Sequence, residues 1–188
     1  MSISGSKFYH IPSAIDPSVA QVILEQQRYI QLEQAKILDG ETHDVRNTKI
    51  GWIDTDHWVS GMMAHFIHQA NNNLFHYDLY AWSDKVQYTV YDNSESHYGW
   101  HEDLAESKFY PDMNLIRKLS ISLCLSQSSD YTGGEFQILV DANRGMHRLK
   151  LGCGDAIIFS SDMIHRVKKV TSGKRVSLVG WFAGPAWK

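Results

Sequence analysis

The chain has 188 residues, of which 18 are Lys or Arg, 21 are Asp or Glu, 10 are His and only two are Cys. A hydrophobic fraction of 43% with 21% charged residues is typical of a globular protein with a core, and it excludes a largely disordered chain. The formal net charge of -3 without a basic block argues against a nucleic acid partner. No apolar stretch is long enough to span a membrane, which argues against a membrane partner.

The N-terminal part of the chain predicts two helices and two short strands. Short strands are expected near residues 7–11 and 48–53, and the Asp16-Pro17 pair is typical of an N-cap followed by the first helical residue. Asp56 is expected to cap the second helix. The first ten residues lack the apolar core of a signal peptide, so a cytoplasmic location is expected.

After Tyr80 the pattern changes to short strand-like segments separated by turns. Many short strands without intervening helices indicate a sandwich or jelly roll. The sequence therefore predicts an α+β protein of one domain, residues 1–188, in which a helical support region (1–80) packs on a β core (81–188). The predicted strands are 85–91, 97–102, 118–125, 134–140, 147–151, 155–159, 164–170 and 175–182.

Three residues on these strands form a candidate metal site. The two cysteines, Cys124 and Cys153, fit no paired-cysteine metal motif, so imidazole and carboxylate ligands are expected, which suit iron, zinc, copper or manganese. His101 and Asp103 lie two residues apart at a strand end and share a face, and His165 opens a later strand. Two histidines and one carboxylate on one face of a metal are typical of non-haem Fe(II) oxygenases.

A candidate anion site follows on the last predicted strand. Arg175 and Ser177 share a face, and the guanidinium could clamp a carboxylate in a bidentate way beside the hydroxyl. Tyr91 ends the first predicted strand and could add a phenolic donor to the same anion.

The residues from Tyr91 to Trp181 resemble the Fe(II)/2-oxoglutarate-dependent oxygenases, in the prolyl 4-hydroxylase-like branch that includes the bacterial PKHD-type hydroxylases. The order of several motifs along the chain is more specific than any one of them. The matching residues are 98–103 (YGWHED), 117–120 (RKLS), 130–135 (DYTGGE), 154–159 (GDAIIF), 165–167 (HRV) and Arg175.

The resemblance implies a fold, a set of cofactors and their ligands. The fold would be a double-stranded β-helix, a cupin-like jelly roll, with N-terminal supporting helices. His101, Asp103 and His165 would bind Fe(II), and Arg175 would bind the distal carboxylate of 2-oxoglutarate with help from Tyr91. O2 would be the second co-substrate, and ascorbate is a candidate reductant.

Two positions depart from related sequences. Cys124 stands about where some relatives place a tyrosine that touches the co-substrate. Trp181 stands six residues after Arg175, where DNA-repair dioxygenases of the AlkB type carry a second arginine, and this argues against that branch.

The expected activity is hydroxylation of a prolyl residue in a peptide or protein, with succinate and CO2 as co-products. Tyr98, Trp100 and Trp181 lie near the candidate site and are expected to contact the substrate. One alternative is a hydroxylase of a free amino acid or other small metabolite. A second alternative is a cupin-like module that binds a metal or an anion without catalysis.

Overall fold

The computed structural model describes residues 3–5, 8–35, 46–92, 94–141 and 145–187. In this part of the chain the α-helices are α1 (Pro17–Glu25) and α2 (Trp58–Ala70), with 3-10 turns at Gln26–Tyr29 and Pro111–Met113 and a π turn at Asn71–Phe75. The strands are β1 (Ile3–Gly5), β2 (Phe8–Ile11), β3 (Glu33–Gln34), β4 (Arg46–Asn47), β5 (Lys49–Ile53), β6 (Ala81–Trp82), β7 (Val86–Tyr91), β8 (His97–His101), β9 (Leu115–Cys124), β10 (Tyr131–Gly133), β11 (Phe136–Asp141), β12 (Gly145–Leu149), β13 (Ala156–Ser160), β14 (His165–Val167), β15 (Val170–Gly173) and β16 (Arg175–Pro185).

These strands form two main antiparallel sheets. The larger sheet has the order β1-β2-β13-β9-β16-β7-β5-β3, with β6 also paired to β16, and the smaller sheet has the order β12-β11-β14-β8-β4. Strands β10 and β15 pair separately. The predicted α+β fold with a double-stranded β-helix is therefore confirmed. Residues 1–80 supply strands of the larger sheet as well as both α-helices.

The larger sheet uses its two faces differently because side chains alternate along a strand. On β16, Val176, Leu178 and Phe182 pack into a core that also contains Ile23 of α1 and Met63 of α2. The corresponding residues of the neighbouring strands lie in the same core, namely Val86, Tyr88, Val90, Leu119, Ile121 and Leu123. The helices thus cover one face of the sheet and leave the other face to the smaller sheet.

A second core lies between the two sheets. Phe159 of β13 and Phe136 of β11 meet there, with ring centroids 5.5 Å apart. Tyr91, Ile138 and Val167 belong to the same cluster. This core supports one end of the space between the sheets, where the candidate site lies.

The helix starts follow from their N-caps. Asp16 accepts a hydrogen bond from the Ser18 N–H at 2.8 Å, and Pro17 is the first helical residue, as the sequence indicated. The predicted cap of α2 at Asp56 is wrong by one residue: His57 is the N-cap, and its Nδ1 accepts from the Val59 N–H at 3.3 Å. In the described part of the chain, no helix is long and apolar enough to cross a membrane.

Candidate active site

His101, Asp103 and His165 come together at the open edge between the sheets. β8 and β14 pair so that His101 lies opposite His165, and Asp103 follows the end of β8. The His101 Nε2 atom is 3.7 Å from Asp103 Oδ1, and the His165 Nε2 atom is 3.6 Å from Asp103 Oδ2. The potential ligand atoms all lie within 4.8 Å of one another, so the three residues are placed to hold one metal ion.

Backbone contacts orient both imidazoles for metal binding. His101 Nδ1 lies 2.8 Å from the Gly99 carbonyl oxygen, and His165 Nδ1 lies 2.9 Å from the Met163 carbonyl oxygen. Because a carbonyl oxygen only accepts, each Nδ1 must carry the proton and each Nε2 is left with a lone pair. Both free lone pairs therefore face the same carboxylate, which is the arrangement that a divalent cation requires.

The protonation states of His101 and Asp103 also suit metal binding. Burial and the neighbouring His165 lower the pKa of His101 to about 4, so its imidazole is neutral near pH 7. Burial acts to raise the pKa of Asp103, but His165, His101, the Ser120 hydroxyl and Arg117 together outweigh it, and the pKa lies below its ordinary value. Asp103 Oδ2 is buried and has no hydrogen-bond partner. An ionised, buried and unpartnered carboxylate oxygen fits a metal-binding role.

A bulge in β8 decides which side chains reach this site. His165 pairs with His101 and Val167 pairs with Tyr98, so three steps along β8 match two steps along β14. Tyr98 therefore shares the inner face with His101, and the two rings stack with centroids 3.5 Å apart. Trp100 does not line the cavity between the sheets. It is 39% exposed and packs against Arg166, whose guanidinium is 4.3 Å from the indole centroid.

Arg175 is buried with an incomplete set of partners. Its side chain is 1% exposed, Nη1 donates to Ser177 Oγ at 3.2 Å, and Nε and Nη2 have no partner. Tyr91 lies opposite Arg175 in the β7–β16 register, with the guanidinium 5.2 Å from its ring centroid. Burial raises the pKa of Tyr91, so its hydroxyl keeps its proton and can donate. A buried guanidinium with two free nitrogens fits the carboxylate of 2-oxoglutarate.

Gly134 makes room for this arginine. Its φ is +64°, and a Cβ at this position would lie 3.0 Å from both Arg175 Cδ and Tyr131 Cε2. Cys124 is fully buried and does not line the cavity, and its thiol donates to the Ser126 carbonyl oxygen at 3.6 Å.

A cavity of about 410 Å³ lies between the two sheets. Its walls include Tyr91 and Ser177, together with the three candidate metal ligands, Tyr98 and Trp181. Trp181 is 6% exposed, and its Nε1 atom is buried without a hydrogen-bond partner. The structure thus brings Tyr98 and Trp181 to the cavity and leaves Trp100 outside it.

Two arginines in the cavity wall were not singled out as binding residues from the sequence. Arg117 of β9 stacks on Trp181 at 4.0 Å, and its Nη1 donates to the Asp103 carbonyl oxygen at 3.5 Å. Arg46 of β4 stacks on Tyr98 at 4.4 Å, and its Nε donates to Thr48 Oγ1 at 3.0 Å. Arg117 belongs to the motif at residues 117–120, whereas β4, the strand that carries Arg46, is too short to show an alternation of side chains.

Comparison with known sequences assigns the family. Residues 86–183 match the 2OG-Fe(II) oxygenase superfamily. A PKHD-type hydroxylase of Psychrobacter sp. strain PRwf-1 is 40% identical over 85 residues, which are 45% of this chain and 32% of that protein. The PKHD-type hydroxylase YbiX of Escherichia coli strain K12 / DH10B is 31% identical over 183 residues, which cover 92% of this chain and 76% of YbiX.

Solved structures share the fold. A prolyl 4-hydroxylase of Pseudomonas putida superposes with a TM-score of 0.74 at 19% identity, covering 95% of this chain and 94% of the other. A prolyl hydroxylase of Trichoplax adhaerens, solved with a peptide fragment of hypoxia inducible factor, gives 0.75 at 18% identity and covers 94% and 83%. The sequence matches, together with the His-Asp-His cluster, show that the chain belongs to the 2OG-Fe(II) oxygenase superfamily, among the relatives of the PKHD-type hydroxylases; members of this superfamily use Fe(II), 2-oxoglutarate and O2.

Proposed function

We propose that this oxygenase hydroxylates prolyl residues of a peptide or protein. The observation that carries the proposal is a buried His-Asp-His cluster in the wall of one cavity, together with a buried arginine, Arg175, that has no anionic partner among the described residues and is hydrogen-bonded to Ser177 of the same wall. The PKHD-type and prolyl hydroxylase relatives support the choice of substrate.

His101, Asp103 and His165 would hold the metal. The Gly99 and Met163 carbonyls keep both imidazoles in the tautomer that presents Nε2, so no reorganisation is needed before the metal binds. Since the ligands come from one side, the remaining coordination positions would face the cavity.

Arg175, Ser177 and Tyr91 would hold 2-oxoglutarate by its distal carboxylate. Arg175 offers Nε and Nη2 for a bidentate contact, while its Nη1 is already fixed by Ser177 Oγ. Tyr91 would add its hydroxyl hydrogen bond, and its ring would keep the guanidinium in place.

When bound, Fe(II) with 2-oxoglutarate and O2 supplies the oxidising chemistry that converts a C–H bond into C–OH, with succinate and CO2 as co-products. The chain positions the reactants and limits the access of water. Tyr98 and Trp181 would contact the substrate, because both line the cavity beside the metal cluster. Leu104 follows the metal ligand Asp103, lines the cavity and is 38% exposed, so it offers an apolar contact for a peptide at the site.

Binding and turnover test this proposal in two steps. Fe(II) and 2-oxoglutarate are first added without oxygen, and a visible charge-transfer band is expected in the wild type and not in Asp103→Ala. Oxygen is then admitted, and succinate is measured with proline-containing peptides and with free L-proline. Absence of the band in the wild type would refute the metal and co-substrate assignment.

Comparing peptides with free L-proline distinguishes prolyl hydroxylation from the two alternative functions. Faster turnover of peptides supports the prolyl assignment, whereas turnover of L-proline without peptide turnover favours a metabolite hydroxylase. A band without succinate release from any proline substrate would contradict prolyl hydroxylation. Metal binding with no 2-oxoglutarate band would favour a metal-binding module.

A further inference from the structure

Three nitrogen atoms in the cavity wall are buried and have no hydrogen-bond partner. They are Arg46 Nη2, Arg117 Nε and Trp181 Nε1. Arg46 comes from the smaller sheet, while Arg117 and Trp181 come from the larger one, so donors from both sheets converge on one space. Buried donors without acceptors are costly in proteins, and a cavity ligand is the group that could satisfy them.

The cations of the cavity wall differ in how they are paired. Arg117 and the Lys108 ammonium group share Asp84, at 3.5 Å and 2.7 Å. Arg46 is buried, and none of the described carboxylates forms an ion pair with it. A buried positive charge without a counter-ion favours an anionic group in the cavity.

We infer that Arg46 and Arg117 bind a carboxylate of the hydroxylated substrate. Arg46 is held over Tyr98, which stacks on the metal ligand His101, and Arg117 contacts the backbone of the metal ligand Asp103. A carboxylate held here lies next to the metal, so the hydroxylated carbon belongs to a residue with an acidic group nearby. This inference rests on the proposed function and narrows its substrate class.

The co-substrate does not account for these two arginines. Arg175 alone has two free guanidinium nitrogens, which suffice for one carboxylate, and it stacks on a different ring, that of Tyr91. The other carboxylate of 2-oxoglutarate would bind the metal at the coordination positions that the three protein ligands leave open. Arg46 and Arg117 therefore remain for the substrate.

Calorimetric titration of the anaerobic enzyme loaded with Fe(II) and 2-oxoglutarate tests the inference. The probes are matched acids and amides: N-acetyl-L-proline with N-acetyl-L-prolinamide, free L-proline with L-prolinamide, and a C-terminally amidated peptide with Asp or Asn beside proline. At least one acid is expected to bind about tenfold more tightly than its amide, since a hydrogen bond to a buried charge is worth about that factor. The best pair tells whether the carboxylate is that of a free amino acid, a chain terminus or an acidic side chain.

Variants assign the preference to these residues. Arg46→Gln should weaken acid binding about tenfold and leave amide binding unchanged. Arg117→Lys, which keeps the charge and loses the planar guanidinium, should have a smaller effect in the same direction. Arg28→Gln is the control, because Arg28 is exposed and lies outside the cavity.

Two results would overturn the inference. One is that every acid binds no better than its amide while the charge-transfer band with 2-oxoglutarate forms normally. The other is that Arg46→Gln weakens 2-oxoglutarate binding as much as acid binding, which would assign Arg46 to the co-substrate. Failure of the proposed function gives a different signature, since either the charge-transfer band or succinate release with every proline substrate would then be missing.

Discussion

The ring of His101 lies nearly parallel to the ring of Tyr98, with the centroids 3.5 Å apart and the planes 13° from each other. His101 also donates a hydrogen bond to the Gly99 carbonyl. The bulge in β8 makes the stack possible, because residues three apart on a regular strand would face opposite sides. Ring orientation at the metal thus depends on a side chain that is not a ligand.

Replacing Tyr98 with leucine is expected to weaken metal binding about tenfold, because outer-shell contacts hold the imidazole in its binding orientation. Tyr98→Phe keeps the ring and should bind metal as the wild type does. Titration with Mn(II), followed by its electron paramagnetic resonance signal, measures the affinity. Equal affinities for the leucine variant and the wild type would contradict this role.

Replacing Arg175 with methionine should separate stability from co-substrate binding. The change removes a buried charge without an anionic partner and keeps an unbranched side chain, so the melting temperature of the metal-free protein should rise by about 2 °C or more. The same variant should lose the stabilisation that 2-oxoglutarate gives the wild type, which is about 2.7 kcal/mol at 100 times the Kd. Thermal unfolding with and without 2-oxoglutarate measures both. Undiminished stabilisation by 2-oxoglutarate in Arg175→Met would refute the assignment.

Gly134→Ala is expected to weaken 2-oxoglutarate binding about tenfold, since the added Cβ would displace the Arg175 side chain and weaken its charged hydrogen bonds. Gly145→Ala is a matched control: its φ is +81°, and its added Cβ would meet no atom within 4 Å. Both variants should lose about 1 kcal/mol of stability from the left-handed backbone. Equal 2-oxoglutarate affinities in the two variants would show that the substitution at Gly134 strains the backbone but does not displace Arg175.

The metal-free protein should lose stability as the pH falls from about 6.5 to about 4. The folded state holds the pKa of His101 at about 4, below its ordinary value of 6.5, because the charged imidazole is desolvated and close to His165. The unfolded chain therefore takes up the proton first, and the loss approaches about 3 kcal/mol at 1.4 kcal/mol per pH unit. Urea unfolding across this range measures it. His101→Gln should show a smaller loss between pH 6.5 and 4, and an identical loss would assign it to other groups.

The sequence predicted the main strands and the faces that follow regular alternation, but not the short strands β1, β3, β4, β6, β10 and β15. Arg175 and Ser177 lie on one face because β16 is regular there. The sequence did not predict that Arg117 faces the cavity. In the β9–β16 register Phe182 pairs with Leu119 and Ala183 pairs with Arg117, so Lys118 is skipped. This bulge turns Arg117 toward the cavity. A bulge in β8 likewise turns Tyr98 toward the cavity, whereas Trp100 faces away because it lies next to His101 on the strand. Bulges depend on the partner strand, so alternation in one strand cannot reveal them.

The side chains of strand β16 alternate between the face of the sheet that packs on the helices and the face that lines the cavity. One stretch of sequence therefore serves both helix packing and the shape of the cavity. Val176 and Leu178 hold the helices, while Val179 and Trp181 shape the space that receives the substrate. Changes at Val179 or Trp181 can therefore redirect substrate choice while the contacts that secure the helices stay intact. Such a strand is a practical place to begin when a new substrate preference is sought by mutagenesis.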